Sequence, residues 1–507
     1  MATPSRTSFA IKNVFYSYIG TFTTTILSFI TRTIFIKLLG SNYLGVNGLF
    51  TDVLGVLSFA ELGFGTAMNF SLYKPVAEND REKIKSLIYL YKKAYYAIAI
   101  IITVLGLLLL PFLHFIVKDP GNIGDIRIYF LVFLFNTVSS YFVSYKYSII
   151  NAEQKNYIYT NVNTLTIIVQ NIIQIIVLLV FKNFLFYLIT AAIVLILQKV
   201  IFNVYLNKKY PLLLEKNIQP LDEYDLISIK RNVKGLILHK FGDISIHQTD
   251  NIIVSSCINI ATTGIISNYN LIINTLQSFL NSIFNNVTSS FGNLVATTTK
   301  EKQLDTFMKY NFLNFWLFGF CSICILTLVQ PFITLWIGGN NLIDILSLFL
   351  IVINFYLAGQ RVAFLNFKTA YGIFYDDKFV VLQAALINLI ISILLAQLIG
   401  LPGIYIGTVV SGLYQSIRRP KIAFFRMTGV SVKYYFIVLI KYFTVVFITG
   451  FLLYSMFSFL EITWLSFLMM IIVNCIVINL IFIIIFKNTN EFKYMINLLK
   501  NLLRREV

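Results

Sequence analysis

Charge is scarce in this sequence, and acidic charge scarcer still. Only 12% of the 507 residues are Asp, Glu, Lys or Arg, 58% are hydrophobic, and the mean hydropathy is +0.79. A water-soluble globule cannot be covered by so few charges, so the bulk of the chain faces lipid. Histidine is limited to His114, His239 and His247, which leaves no paired-His-plus-Asp acyltransfer motif. The four cysteines, Cys257, Cys321, Cys324 and Cys475, all fall inside apolar runs. Cys321 and Cys324 form a CxxC without metal-ligand context, and a buried thiol behaves as a small hydrophobe.

What the sequence has in abundance is long apolar runs. They read as helices at 13–39, 43–73, 86–116, 128–150, 160–181, 184–206, 236–259, 261–298, 309–335, 344–371, 380–399, 404–426, 434–460 and 464–486. A spanning helix needs about 20 apolar residues, and these runs are too long and uniform for barrel strands. The expectation is an all-α polytopic membrane protein with 14 transmembrane helices. The first run is long enough to be a span rather than a cleaved signal peptide.

An even number of spans puts both termini on one side, and the positive-inside bias says which. With both termini cytoplasmic, cytoplasmic segments and span ends hold 33 of the 40 Lys and Arg, the outer side holds Lys37, Lys118, Arg127 and Lys182, and Arg32, Lys240 and Arg361 remain within the membrane. The formal net charge of +18 is thus a topology signal and implies no nucleic-acid partner. Outer loops are as short as Lys182-Asn183, leaving no outer domain for the catalytic site of a glycan polymerase or ligase.

Shifting the chain by 219 residues aligns Gly45 with Gly264, Ser71 with Ser290 and Arg81-Glu82-Lys83 with Lys300-Glu301-Lys302. Six spans per copy keep the same orientation, as in parallel-repeat transporters. The expected domains are a first lobe at 1–206 (spans one to six), a cytoplasmic linker at 207–235, a second lobe at 236–426 (spans seven to twelve), two peripheral spans at 434–487 and a basic amphipathic tail at 488–507 lying on the cytoplasmic membrane surface.

Polar residues inside hydrocarbon are costly and point at partners or water. Several form stripes along one helical face. Span one carries Ser17, Thr21, Thr24, Ser28 and Arg32, and span five Asn163, Thr166, Gln170 and Gln174. Span seven carries His239, Asp243, His247 and Asp250, and span eight Asn270, Asn274, Gln277, Asn281, Asn285, Thr288 and Gly292. Span ten carries Asn354, Arg361 and Lys368. The economical reading is a water-filled cavity between the lobes. Arg361, Arg32 and Lys240 are its candidate cations, Arg361 being the best placed to fork onto phosphate oxygens. Ser28, Asn354 and the amides of span eight are candidate lining groups. Arg32 and Asp52 sit at similar depth on either side of a turn, so Arg32 has either an ion-pair or a ligand role. Glu61, Asp52, Asp243, His247 and Asp250 are candidates for coupling to an ion. The histidine–aspartate series lacks a fourth ligand, so a relay or plain lining is favoured over a metal site.

At "RTIFIKLLGSNYLGVNGLF" (32–50), "LSFAELGFGTAM" (57–68), "SLYKPVAENDREKIKSL" (71–87), "NAEQKNY" (151–157), "TDNIIVS" (249–255), "GNLVA" (292–296), "PFITLWIGG" (331–339), "INFY" (353–356) and "INLIISI...GLPGIYIGT" (387–408) the chain resembles the Wzx-type polysaccharide flippases (O-antigen, capsule and teichoic acid) of the MOP (multidrug/oligosaccharidyl-lipid/polysaccharide) superfamily. The resemblance implies two pseudo-symmetric six-helix lobes plus two peripheral helices around a basic cavity. It further implies export of undecaprenyl-diphosphate-linked oligosaccharides across the bacterial cytoplasmic membrane by alternating access, without catalysis or cofactor. The drive would be the membrane potential or a Na⁺ or H⁺ gradient, and the partners membrane lipids, a glycan polymerase and glycosyltransferases of the same pathway. A cation-coupled drug antiporter of the same superfamily is the alternative. This sequence departs from the pattern in having few cavity cations.

Overall fold

A computed structural model of the protein describes residues 6–61, 64–215, 217–227, 229–231, 233, 248–285, 291, 294–295, 297–373 and 376–505. Every regular element among them is helical. The chain divides into two compact units, Met1–Gly264 and Ile265–Val507.

The first unit contains α1 (Arg6–Leu39), α2 (Ser41–Leu57), α3 (Phe64–Glu78), α4 (Arg81–Leu109), α5 (Leu113–Ile116), α6 (Ile126–Ala152), α7 (Asn156–Phe181), α8 (Phe184–Lys209) and α9 (Asp250–Ile253). Helix α10 (Ile260–Asn285) begins there and continues into the second unit. The second unit adds α11 (Lys300–Ile337), α12 (Ile345–Ala370), α13 (Lys378–Ile399), α14 (Leu401–Thr428), α15 (Val432–Phe457), α16 (Trp464–Phe486) and α17 (Asn490–Arg505).

Polar caps set the starts of these apolar helices. Asp80 accepts from Lys83 N at 3.1 Å, Asn183 from Leu185 N at 2.8 Å and Asp344 from Ser347 N at 2.8 Å. Lys182 takes a left-handed conformation (φ 49°), which turns the chain between α7 and α8 within two residues. Aromatic side chains fill both cores. Phe35 packs edge-on against Phe184 and Tyr187, and Phe315 stacks on Tyr442 beside Phe482 and Phe486.

Eleven helices among the described residues are long and apolar enough to cross a membrane, so this is a multi-pass membrane protein. The expectation was fourteen, and the three others have distinct causes. Half of the seventh span, 236–259, lies outside the described residues. Helix α10 is long enough, but its amide stripe lowers its hydropathy, and in α14 Arg418, Arg419 and Lys421 do the same.

The second span is not the continuous helix expected over 43–73. Helix α2 ends at Leu57, a 3-10 turn covers Ser58–Glu61, and α3 starts at Phe64. Glycines at 55 and 65 and a Ser58 hydroxyl bonded to Gly55 O at 2.6 Å weaken the helical ladder there. The described part of span seven is likewise irregular. A π-turn at Val254–Ile258 and an extended Asn259 interrupt it before α10.

The 219-residue shift reappears in the elements. Arg81 and Lys300, which open α4 and α11, are 219 residues apart, as are Ile126 and Ile345 opening α6 and α12, and Lys209 and Thr428 closing α8 and α14. Within the first unit, a Cβ on Gly45 would lie 2.0 Å from Ile260 O, and one on Gly264 would lie 2.0 Å from Ser41 O. The same shift maps Ser41 onto Ile260 and Gly45 onto Gly264. The contact is reciprocal, as local two-fold symmetry requires.

The linker after α8 is fastened to the start of α4. Lys85 bonds Glu215 at 2.9 Å, Lys83 bonds Asp225 at 2.7 Å, and Ser86 donates to Gln219 O at 2.6 Å. The C-terminal helix also packs against the protein. In α17, Met495 is buried in the core around α11, Phe492 stacks on Trp316 at 5.8 Å, and Lys309 lies 5.0 Å over the Tyr494 ring.

Candidate functional site

In the second unit, α12, α14 and α15 enclose an apolar groove of about 650 Å³. Tyr356, Leu357, Phe364, Tyr435 and Phe443 supply its walls, and Arg361 and Arg419 border it. Arg361 Nη1 donates to Gly412 O at 3.0 Å. Gly412 makes this approach possible, since a Cβ there would lie 3.2 Å from Nη1 and 3.7 Å from Asn354 Oδ1. The two residues predicted on one face of span ten thus converge on one spot of α14. No ion pair of Arg361 occurs among the described residues. A carbonyl orients the guanidinium without neutralising it, and its other donors stay open to an anion.

Lys368, the third member of that stripe, has a different fate. It is buried and bonded to Asp377, whose Oδ2 also lies 3.3 Å from Arg419 Nε. One carboxylate with 0% exposure therefore answers two cations.

The amides of α10 divide. Asn281 Oδ1 is buried without a hydrogen bond among the described residues. Asn270 and Gln277 are half-buried and Asn274 is exposed, and none of these three side chains has a hydrogen bond among the described residues. The side chain of Asn285 lies outside the described residues. Tyr310 and Asn366 fix the end of α10 by donating to Phe284 O at 2.7 and 3.1 Å.

In the first unit, the candidate ion pair Arg32–Asp52 is not among the ion pairs of the described residues. Asp52 accepts from Asn251 Nδ2 at 2.6 Å instead, so the carboxylate that was to meet Arg32 belongs to the α2–α9 contact. Arg32 is half-buried with Tyr187 as an electrostatic neighbour, and Ser28 lies one turn earlier, also half-buried. Glu61 ends the 3-10 turn and accepts from the Tyr95 hydroxyl at 3.4 Å, and the Tyr95 ring lies 5.8 Å from the tilted ring of Tyr141. Asp250 opens α9 with Oδ1 buried. His239, Lys240, Asp243 and His247 lie outside the described residues.

Sequence reasoning missed two lysines. Counting Lys146 and Lys199 with the cytoplasmic span ends hides their depth, for Lys146 is six residues and Lys199 ten residues inside the ends of α6 and α8. The signal was available in the i, i+4, i+8 series Lys199, Asn203, Asn207 on one face of α8.

With this geometry in hand, the solved structures decide the fold. The chain aligns with the inward closed conformation of the lipid II flippase MurJ at a TM-score of 0.66 and 14% identity, over 93% of this chain and 99% of that one. It aligns with the inward-facing conformation of a multidrug resistance MATE family transporter of the MOP superfamily at 0.57 and 16% identity, over 80% and 96%. A Vibrio cholerae MATE transporter, VcmN, gives 0.51 and 16%, over 82% and 97%. The chain has the MOP transporter fold. No protein-family model and no curated protein sequence matches it. At these identities the MOP likeness concerns architecture alone, and it agrees with the expected all-helical, MATE-like class.

Proposed function

We propose that this MOP-fold protein is a flippase that moves polyprenyl-diphosphate-linked oligosaccharides from the cytoplasmic to the outer leaflet by alternating access. The observation that carries the reading is Arg361. It places a guanidinium without a counter-ion among the described residues at the wall of an apolar groove of about 650 Å³. Diphosphate and prenyl tail are the two halves of the molecule that such a site complements. Asn270, Asn274 and Gln277 supply the amide donors and acceptors that sugar hydroxyls need. That an aligned structure bears the name of a lipid II flippase fits this reading. Arg32 and Lys240 are further candidates for the diphosphate, and glycosyltransferases and a polymerase would supply and consume the cargo. With Lys and Arg gathered at the termini side, both termini face the cytoplasm in this reading.

A drug antiporter is the second reading, since other aligned structures are multidrug transporters. The groove argues against it, because Arg361 would repel a cationic amphiphile. The test is export in cells and in vesicles. Deleting the gene removes a surface glycan, wild-type protein restores it, and Arg361→Ala protein, expressed at wild-type level, does not. Normal surface glycan in the deletion strain, together with raised resistance to cationic drugs on overexpression, would replace the flippase with the antiporter.

A further inference from the structure

The groove of the second unit holds more unpaired polarity than Arg361 alone. On its α12 wall, Tyr356 and Gln360 stand one helical turn apart, and Gln360 directly precedes Arg361. On its α14 wall, Gln415 lies one turn after Gly412, whose carbonyl accepts from Arg361. The two glutamines and the guanidinium therefore border one continuous space of about 650 Å³. Tyr356 is 3% exposed and each glutamine 5%. The Tyr356 hydroxyl and both amide atoms of Gln360 are buried with no hydrogen bond among the described residues. The Gln415 side chain makes none among them either.

Packing does not call for these groups. Leucine or methionine fills a similar volume, and a buried amide or phenol without a partner is penalised. A glutamine side chain is long and unbranched, so its amide swings between wall and groove without moving the backbone. Each amide offers donors on nitrogen and an acceptor on oxygen, and tyrosine offers one hydroxyl. A bare prenyl diphosphate brings acceptors only. It answers Arg361 and the amide nitrogens and leaves both amide oxygens unpaired. A sugar attached to the diphosphate brings hydroxyls, which donate as well as accept.

A phospholipid with a hydroxylated headgroup is the other source of phosphate and hydroxyl together, and depth argues against it. Arg361 is 9 residues before the end of α12 at Ala370, which places it roughly 13 Å inside that end at about 1.5 Å per residue. That is beyond the phosphate plane of a resident bilayer lipid, whereas a carried molecule passes through it.

We propose that Gln360 and Gln415, with Tyr356, read the hydroxyls of the sugar next to the diphosphate, so that the groove separates a loaded prenyl carrier from a bare one. The inference rests on the flippase reading and adds a selectivity that Arg361 cannot supply, since loaded and bare carriers share the phosphates.

The test is ligand retention by the full-length protein in detergent, followed by native mass spectrometry. The probes are farnesyl diphosphate and its glucosyl and N-acetylglucosaminyl esters, offered in competition. Wild-type protein retains a glycosylated probe over farnesyl diphosphate by about tenfold, the worth of one or two hydrogen bonds. Gln360→Leu and Gln415→Leu each bring that ratio toward one, and Tyr356→Phe lowers it less. The ligand-free leucine variants keep or raise the thermal midpoint, because an unpartnered amide has been replaced by an apolar group. Equal retention of bare and glycosylated probes by wild-type protein would end the inference and leave the flippase reading standing. Retention of neither would count against that reading itself. An unchanged ratio in both leucine variants, with or without a lowered midpoint, would assign the glutamines to the fold. Phosphatidylglycerol that displaces the glycosylated probe at equal concentration would make the site one for bilayer lipid and overturn the proposal.

Discussion

A buried cation persists only where something answers its charge, and the second unit answers it in two ways. Lys368 and Arg419 share Asp377, a closed arrangement whose disruption leaves two buried cations without a counter-ion. Removing one partner of a buried pair typically costs about 3–5 kcal/mol, so Asp377→Asn should lower the thermal midpoint sharply, read by fluorescence size-exclusion after heating. Arg361 has a carbonyl partner only, and the same logic predicts the opposite split. Arg361→Ala should leave the midpoint nearly unchanged and cut transport by about ten- to a hundredfold, the worth of one charge-assisted bond at roughly 1.5–3 kcal/mol. Arg361→Lys keeps the charge but loses the fork, and should recover only part of the rate. A large stability loss in Arg361→Ala with proportionate loss of transport would make it a structural residue. Arg361 was legible in the sequence because a lone Arg in a long apolar run stands out. Its relation to Gly412, and that of Lys368 to Asp377, were not, since both are tertiary contacts that no periodicity encodes.

Among the elements, helix starts were the most legible, because apolar runs and capping residues mark them: the expected 184–206 became α8, Phe184–Lys209, and 464–486 became α16, Trp464–Phe486. Interruptions were less legible. The break between α2 and α3 falls where Ser58, Glu61 and glycines interrupt an otherwise apolar stretch, and an averaged hydropathy is blind to a change in backbone hydrogen bonding there. Close backbone approaches were equally hidden, and they carry a prediction. At Gly45 and Gly264 an added methyl group meets a main-chain carbonyl, which no rotamer change relieves. At Gly55 it meets only the end of the Gln248 side chain. Gly45→Ala and Gly264→Ala should therefore each destabilise by about 1–3 kcal/mol, measured as lowered thermal midpoints in detergent, while Gly55→Ala stays close to wild type. Equal effects at all three positions would remove the argument for a reciprocal crossing of α2 and α10.

For the whole molecule, the shortage of acidic residues becomes a statement about the driving force. Asp52 is bonded to Asn251 and Glu61 to Tyr95, so these two carboxylates of the first unit already have protein partners. The cargo proposed for this protein is itself an anion, and a potential negative on the cytoplasmic side favours its outward movement by about 2.3 kcal/mol per charge for every 100 mV. An ion-coupling residue is then unnecessary. Proteoliposomes with a potassium diffusion potential, and with sodium and pH equal on both sides, should flip a lipid-linked oligosaccharide faster than vesicles held at zero potential. Glu61→Gln should respond to the potential as wild type does, because the amide oxygen can still accept from Tyr95. Should flipping ignore the potential, respond only to a sodium or proton gradient, and stop in Glu61→Gln, the carboxylate at the α2–α3 break is the coupling site, and the tyrosines around it are part of the ion's path.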